Sequence, residues 1–198
     1  MSRSNRPELS DGIIRLRAPE HRDIDARFKL GNTPEIHHMF GAELNAVPVM
    51  TKALAERWYE TQLVEPLAWV IEHRGKMIGA LRLHSLRPWD ASADVAIGIL
   101  APKKLGKGLG TRALHLLAAH AFGSLSLHRL SARVLDINER AAACFTKVGF
   151  AAEGRARQSS FLGGEWHDTL LFGLIKPDYA PPVYDAKPRQ KRKKKSQS

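Results

Sequence analysis

Apolar and polar residues alternate along several stretches of this chain, and each such stretch predicts a strand. Residues 13–17 form the first, Ile-Ile-Arg-Leu-Arg. Ala68–His73 and residues 77–84 are joined by Arg74-Gly75-Lys76 and predict a hairpin. Residues 94–100, 128–135, 150–161 and 166–175 complete the set, with Gly163-Gly164 turning between the last two. Helical spacing governs the rest. Residues 19–30 predict a helix with Pro19 near its first turn and Gly31-Asn32 as its stop. Pro34 opens a short helix through Met39, and Thr51 caps a longer one over Lys52–Val64. Leu109, Ala113, Leu116, Leu117 and Ala121 share one face of a helix from Thr111 to near Gly123. Asn138 opens the last helix and Gly149 stops it. The order is a mixed α/β plan built on one sheet.

Between the strand at 94–100 and its following helix lies Leu105-Gly106-Lys107-Gly108-Leu109-Gly110-Thr111. Three glycines at alternate positions clear the turn of side chains, so backbone N–H groups can wrap an anion. The helix adds unpaired N–H groups and the positive end of its dipole. Lys107 adds a side-chain charge. This chemistry suits a pyrophosphate. The loop matches neither the G-x-G-x-x-G of dinucleotide folds nor a phosphate loop ending in Gly-Lys-Ser/Thr. Read alone, it is equally a tight strand-to-helix turn.

Composition narrows the class. A chain of 198 residues with 43% hydrophobic content fits one domain with a substantial core. The expected division is a polar arm at 1–10, a domain at 11–176, and a proline-containing linker with a basic tail at 177–198. No apolar run spans a membrane, and the first residues lack the apolar segment of a signal peptide. The single cysteine, Cys144, excludes an internal disulfide; together these point to the cytoplasm. The net charge is +11. Lys187, Arg189, Lys191, Arg192, Lys193, Lys194 and Lys195 supply much of it, with no acidic residue after Asp185. Such a tail is a disordered candidate for RNA or ribosome contact, or simply a solubilising end. His115 and His120 lack the spacing and partners of a metal motif, so no metal is expected.

Four motifs in order carry a resemblance. They are Ala93-Asp94-Val95-Ala96-Ile97-Gly98-Ile99, Gly106-Lys107-Gly108-Leu109-Gly110-Thr111, Asn138-Glu139-Arg140-Ala141-Ala142 running to Gly149-Phe150, and Gly163-Gly164-Glu165-Trp166-His167-Asp168. Together they resemble the GNAT superfamily of acetyl-CoA-dependent N-acetyltransferases, nearest the Rim-like, ribosomal-protein-alanine branch. The resemblance covers about residues 10–176. It implies the GNAT fold: a mixed, mostly antiparallel central sheet flanked by helices.

The resemblance also implies a site. Leu105, Gly106, Lys107, Gly108, Leu109, Gly110 and Thr111 would hold the pyrophosphate of acetyl-CoA. Backbone at Ile97 and Ile99 would pair with pantetheine like an added strand. Asn138 would fix the pantetheine arm or the amine side. Asp94, where relatives often carry Glu, is the candidate base; as a residue alone it is also a solvent-facing strand carboxylate. Three positions depart from the pattern: Leu105 in place of Gln or Arg, Arg112 in place of Glu, and Phe145 in place of Tyr. Phe145 cannot protonate a leaving thiolate, but a thiol of pKa about 8.5 leaves tolerably without help. An α-amine of pKa about 8 likewise needs less help than a lysine near 10.4. The expected activity is direct acetyl transfer to a primary amine, with a protein N-terminal α-amine among the acceptors. Polyamines, aminoglycosides and aminoacyl-tRNA are the other acceptors in view. A non-catalytic RNA- or ribosome-binding module is the alternative of another class. Monomer and homodimer both fit.

His37-His38 fall on the variable segment where relatives bind substrate, though paired surface histidines are common without a role. His167 and Asp168 are expected to orient the last hairpin. Trp58, Trp69 and Trp89 are expected in the core or cleft wall, and Cys144 in packing.

Overall fold

The computed structural model describes residues 6–183. The basic tail at 187–198 lies outside the described residues. Eight strands form one sheet: β1 (Leu9–Ser10), β2 (Ile14–Arg17), β3 (Ala68–His73), β4 (Lys76–Arg87), β5 (Ser92–Ile99), β6 (Arg129–Leu135), β7 (Ala151–Leu162) and β8 (Glu165–Ile175). Five helices accompany them: α1 (Arg22–Leu30), α2 (Pro34–His38), α3 (Lys52–Val64), α4 (Leu109–Gly123) and α5 (Glu139–Val148). The strand order is β1-β2-β3-β4-β5-β6-β8-β7. Every neighbouring pair is antiparallel except β5 and β6. This is the mixed, mostly antiparallel sheet that the motifs imply.

Each element follows from its local pattern. β2 to β5 alternate, and their inward residues Ile14, Leu16, Trp69, Ile71, Leu81, Leu83, Ala93 and Val95 are buried. They pack in one cluster with Ala113, Leu114, Leu117, Ala118 and Ala121 of α4. α1 and α3 pack on each other and on the sheet, around a smaller cluster of Ile24, Met50 and Ala55. A buried charge network holds α1 to the sheet. Arg17 donates to both carboxylate oxygens of Asp23 at 2.8 and 2.7 Å and to Glu72 at 2.8 Å. Asp23 also accepts from the Glu20 N–H at 2.7 Å, so the helix begins at Arg22 rather than at Pro19.

The polar arm expected at 1–10 is corrected for residues 6–10, which belong to the domain. Leu9 and Ser10 pair with Leu16 and Arg15. Trp69 donates its indole N–H to the Pro7 carbonyl at 2.9 Å. Arg6 donates to the carbonyls of Gln62, Leu63, Glu65 and Pro66, closing the C-terminal end of α3. The partners of Arg6 and Pro7 are more than fifty residues away in sequence, so no local pattern announces them. Among the described residues, no helix is long and apolar enough to cross a membrane.

Candidate active site

The parallel pairing of β5 with β6 is short. It covers Ser92, Ala93 and Asp94 against Arg129, Leu130 and Ser131. Beyond Asp94 the two strands part. β5 continues against β4 as far as Ile99, while β6 continues against β8 as far as Leu135. A wedge therefore opens in the middle of the sheet. Leu100 donates to the Ile78 carbonyl at 2.8 Å, so it points toward β4. Antiparallel pairs alternate in this respect, which turns the backbone groups of Ile97 and Ile99 toward the wedge. Both expected pantetheine positions thus present an unpaired strand edge.

The glycine loop lies at one mouth of the wedge. Gly106 and Gly108 have φ of 69° and 71°, the left-handed region that glycine enters without strain. A Cβ at either would meet nothing within 4 Å, because both face open space. Gly110 differs: its Cβ would lie 3.4 Å from Cys144 Sγ and 3.8 Å from the Ile99 side chain. It lets the first turn of α4 come close to α5 and β5. The first helical bond runs from the Arg112 N–H to the Gly108 carbonyl at 3.1 Å. The N–H groups of Leu109, Gly110 and Thr111 thus have no acceptor inside the helix. The Leu105 N–H is already given to the Pro102 carbonyl at 3.2 Å, so Leu105 contributes its side chain to the wall.

Electrostatics favour an anion here. Lys104 Nζ lies 3.2 Å from His73 Nδ1, with Arg74 and Lys107 close by. Burial, and then the charges of Lys104, Arg74 and Lys107, hold the His73 imidazole below its usual pKa. A cluster of cations that already opposes one more positive charge would welcome a pyrophosphate.

From the loop a groove of about 250 Å³ runs past Ile97, Ile99, Asn138 and Phe145. It shares Ile97, Asn138, Ala141 and Phe145 with a second cavity of about 220 Å³, which holds Asp94, Ala96 and His84. The wedge therefore connects the α4 side of the sheet to the opposite face. Asp94, Ala96 and Gly98 point to that opposite face, where the Phe40 ring would lie 3.1 Å from a Cβ on Gly98.

Asp94 Oδ1 accepts from Arg87 at 2.8 Å. The Asp94 carboxylate raises the Arg87 guanidinium above its ordinary value. His84 sits opposite Asp94 on β4. Asn138 is engaged twice by protein: Oδ1 accepts from the Ala141 N–H at 3.1 Å, and Nδ2 donates to the Met39 carbonyl at 3.1 Å. It caps α5 and pins the end of α2 beside the wedge.

A family model described as an acetyltransferase (GNAT) domain matches residues 14–151. The chain belongs to the GNAT acetyltransferase family. An uncharacterised N-acetyltransferase of Bacillus subtilis, YoaA, is 25% identical over 177 residues, covering 86% of this chain and 98% of its own. The ribosomal protein uS5-alanine N-acetyltransferase of Escherichia coli is 30% identical over 82 residues, 41% of this chain and 42% of its own. The structure of spermidine N-acetyltransferase from Vibrio cholerae, in complex with CoA and spermine, superposes with a TM-score of 0.71. It is 24% identical and covers 85% of this chain and 99% of that one. This GNAT chain is an acetyl-CoA-dependent N-acetyltransferase. The loop geometry, the wedge edge and the cation cluster fit the donor.

The other expectations sort by burial. Phe145 is buried between Phe150 and Phe172, with ring centroids 5.0 and 6.0 Å away. Cys144 packs against Thr111 Oγ1 at 3.4 Å, and burial pushes its thiol up. Arg112, where many GNAT chains carry Glu, donates to Asp11 at 2.6 Å and ties α4 to the N-terminal hairpin. His38 Nδ1 bonds the Ala42 carbonyl, and Asp168 bonds Arg155 and the Gln158 N–H, both structural arrangements. Trp69 is core, Trp58 lines a cleft, and Trp89 is fully exposed. Sequence reasoning missed Phe40, Arg82, His84 and Arg87. The alternation of β4 was the available signal for His84, since it puts every second residue on the Asp94 face.

Proposed function

We propose that this GNAT chain acetylates an α-amine by direct attack on acetyl-CoA through the wedge between β5 and β6. The observation that carries the reading is the wedge itself, open on one face to the glycine loop and on the other to Asp94. Acetyl-CoA supplies an activated acyl thioester. N–H groups of the loop and of the first turn of α4 bind its pyrophosphate. The exposed edge at Ile97 and Ile99 pairs with pantetheine and offers an N–H to the thioester oxygen. Asp94 accepts the amine proton from the opposite face, and the C–S bond breaks to release CoA as the thiolate.

Any carboxylate is a weaker base than the amine it would serve. That favours an amine with an appreciable neutral fraction near pH 7, as an α-amine of pKa about 8 has. The charge around the acceptor side points the same way. Arg82, His84, Arg87 and Arg133 surround it, against the single carboxylate of Asp94. A polycation such as spermidine would meet repulsion there. The test is an acceptor panel with acetyl-CoA and thiol detection, containing peptides with free N-termini, lysine side-chain analogues and spermidine. Faster turnover of α-amines is the expected result; a preference for spermidine overturns the reading.

A further inference from the structure

A third cavity, of about 200 Å³, lies on the acceptor face between α3 and the sheet. It shares Phe40, Ala96 and Ile97 with the cavity that holds Asp94, so the two adjoin. Its polar side chains are Arg82 and Gln62, and Trp58 forms part of its wall. Arg82 sits opposite Ala96 in the β4–β5 register, two residues along β5 from Asp94.

Arg82, and the exposed Arg133, differ from the arginines that carboxylates hold. Arg17 is held by Asp23 and Glu72, Arg87 by Asp94, and Arg129 by Glu153. Arg82 makes no ion pair among the described residues, and its Nε is buried without a hydrogen-bond partner. Gln62, a buried residue, lines the same cavity and brings a side-chain amide to it. Leaving a buried donor of a charged group unsatisfied is costly, and no carboxylate among the described residues offsets it. A planar guanidinium in a cleft, beside the amide of Gln62, suits a carboxylate taken in two parallel bonds.

We propose that Arg82 and Gln62 form an acceptor subsite for a carboxylate carried close to the amine that is acetylated. The subsite rests on the reading of the Asp94 face as the acceptor side. The carboxylate has two sources: the α-carboxylate of a free amino acid, or the side chain of an N-terminal Asp or Glu on a peptide. With the amine beside Asp94, either group reaches Arg82 by passing Phe40.

The test uses two acceptor pairs with the full-length enzyme and acetyl-CoA, each rate referred to the neutral-amine fraction of its acceptor: leucine against leucinamide, and a peptide starting with Glu against the same peptide starting with Gln. In at least one pair the acid member shows a kcat/KM about tenfold or more above its neutral partner, the scale of a charge-assisted hydrogen bond. Which pair responds identifies the source. Arg82→Gln collapses that ratio toward one, chiefly through KM, and Arg82→Lys restores part of it, since an ammonium keeps the charge without the fork. The wild-type ratio alone decides the matter if a variant fails to fold. Neutral members that equal or outrun the acids in both pairs overturn the subsite while leaving acetyl transfer intact. A failure to acetylate either member of either pair, in a protein that calorimetry shows to bind acetyl-CoA and that acetylates spermidine, overturns both the subsite and the α-amine reading. An equal loss for acid and neutral acceptors in Arg82→Gln also overturns the subsite.

Discussion

Asn138 Nδ2 donates to the Met39 carbonyl at 3.1 Å, while Oδ1 of the same side chain caps α5 through the Ala141 N–H. One amide thus sets where the helix beside the donor groove begins and where the acceptor-side segment ends. Asn138→Ala loses the cap and the cross-link, each worth about 1 kcal/mol. Asn138→Ser keeps a cap oxygen that accepts from Ala141 but is too short to donate to Met39 as well. Thermal melts should show Ser recovering about half of the stability that Ala loses. Acceptor KM should rise severalfold in both variants, because both release Met39 and with it Phe40.

Gly108 is needed for its conformation, whereas Gly110 has ordinary φ and room for a methyl beside Cys144. Gly108→Val places a branched residue at φ 71° and a side chain where the donor must approach. Calorimetry should show acetyl-CoA affinity falling about tenfold or more. Gly110→Ala, whose Cβ reaches ordinary contact with Cys144 Sγ, should keep most of it. Equal affinity for wild type and Gly108→Val would remove the loop from donor binding.

Asp94→Asn removes the proposed base and leaves Arg87 without its partner. The acetylation rate should drop most at low pH, where the amine is mainly protonated and needs help. Arg87→Gln keeps the carboxylate and separates the two effects. If the rate–pH profile of Asp94→Asn overlays that of the wild type, the residue is structural.

Burial pushes the Asp11 carboxyl up, but the N–H groups of Ile14 and Ile13 and the Arg112 guanidinium outweigh it, so it sits below its usual pKa. A carboxylate depressed on folding contributes stability above its unfolded pKa and loses it as pH falls through the folded one. Asp11→Asn should therefore be less stable than the wild type at pH 7, by about 1–3 kcal/mol, with the gap closing below about pH 4. Urea melts at pH 7 and pH 3 measure it.

His120 is buried edge-on against Trp69, and burial lowers its pKa. Above about pH 6.5 both folded and unfolded states carry it neutral. Below that the unfolded chain binds the proton first, so stability falls until the folded value is passed. His120→Gln should flatten the stability–pH curve between pH 6.5 and 5, read from urea midpoints.

The strands, the helices and the glycine loop were legible in the sequence because they follow from short-range regularities. Alternation at two residues marks a strand, three to four marks a helix face, and glycines mark a turn that needs positive φ. The loop at 105–111 and the cap at Asn138 are local in this sense. The family they suggest was therefore readable, and the GNAT match over residues 14–151 agrees with it.

The wedge was not readable. It exists because β5 and β6, separated by a loop and a helix, pair for three residues and then diverge toward different neighbours. Long-range register decides that, and no window of the sequence contains it. The same holds for the second bond of Asn138, for Arg112 against an aspartate about a hundred residues away, and for residues 6–10 closing the end of α3. Arg82 is the sharpest case. Its alternation on β4 fixed which face it occupies, but only the packing of α3 over that face left it buried at Nε without a carboxylate. An arginine's identity is local, whereas its partners are set by every element that folds against it.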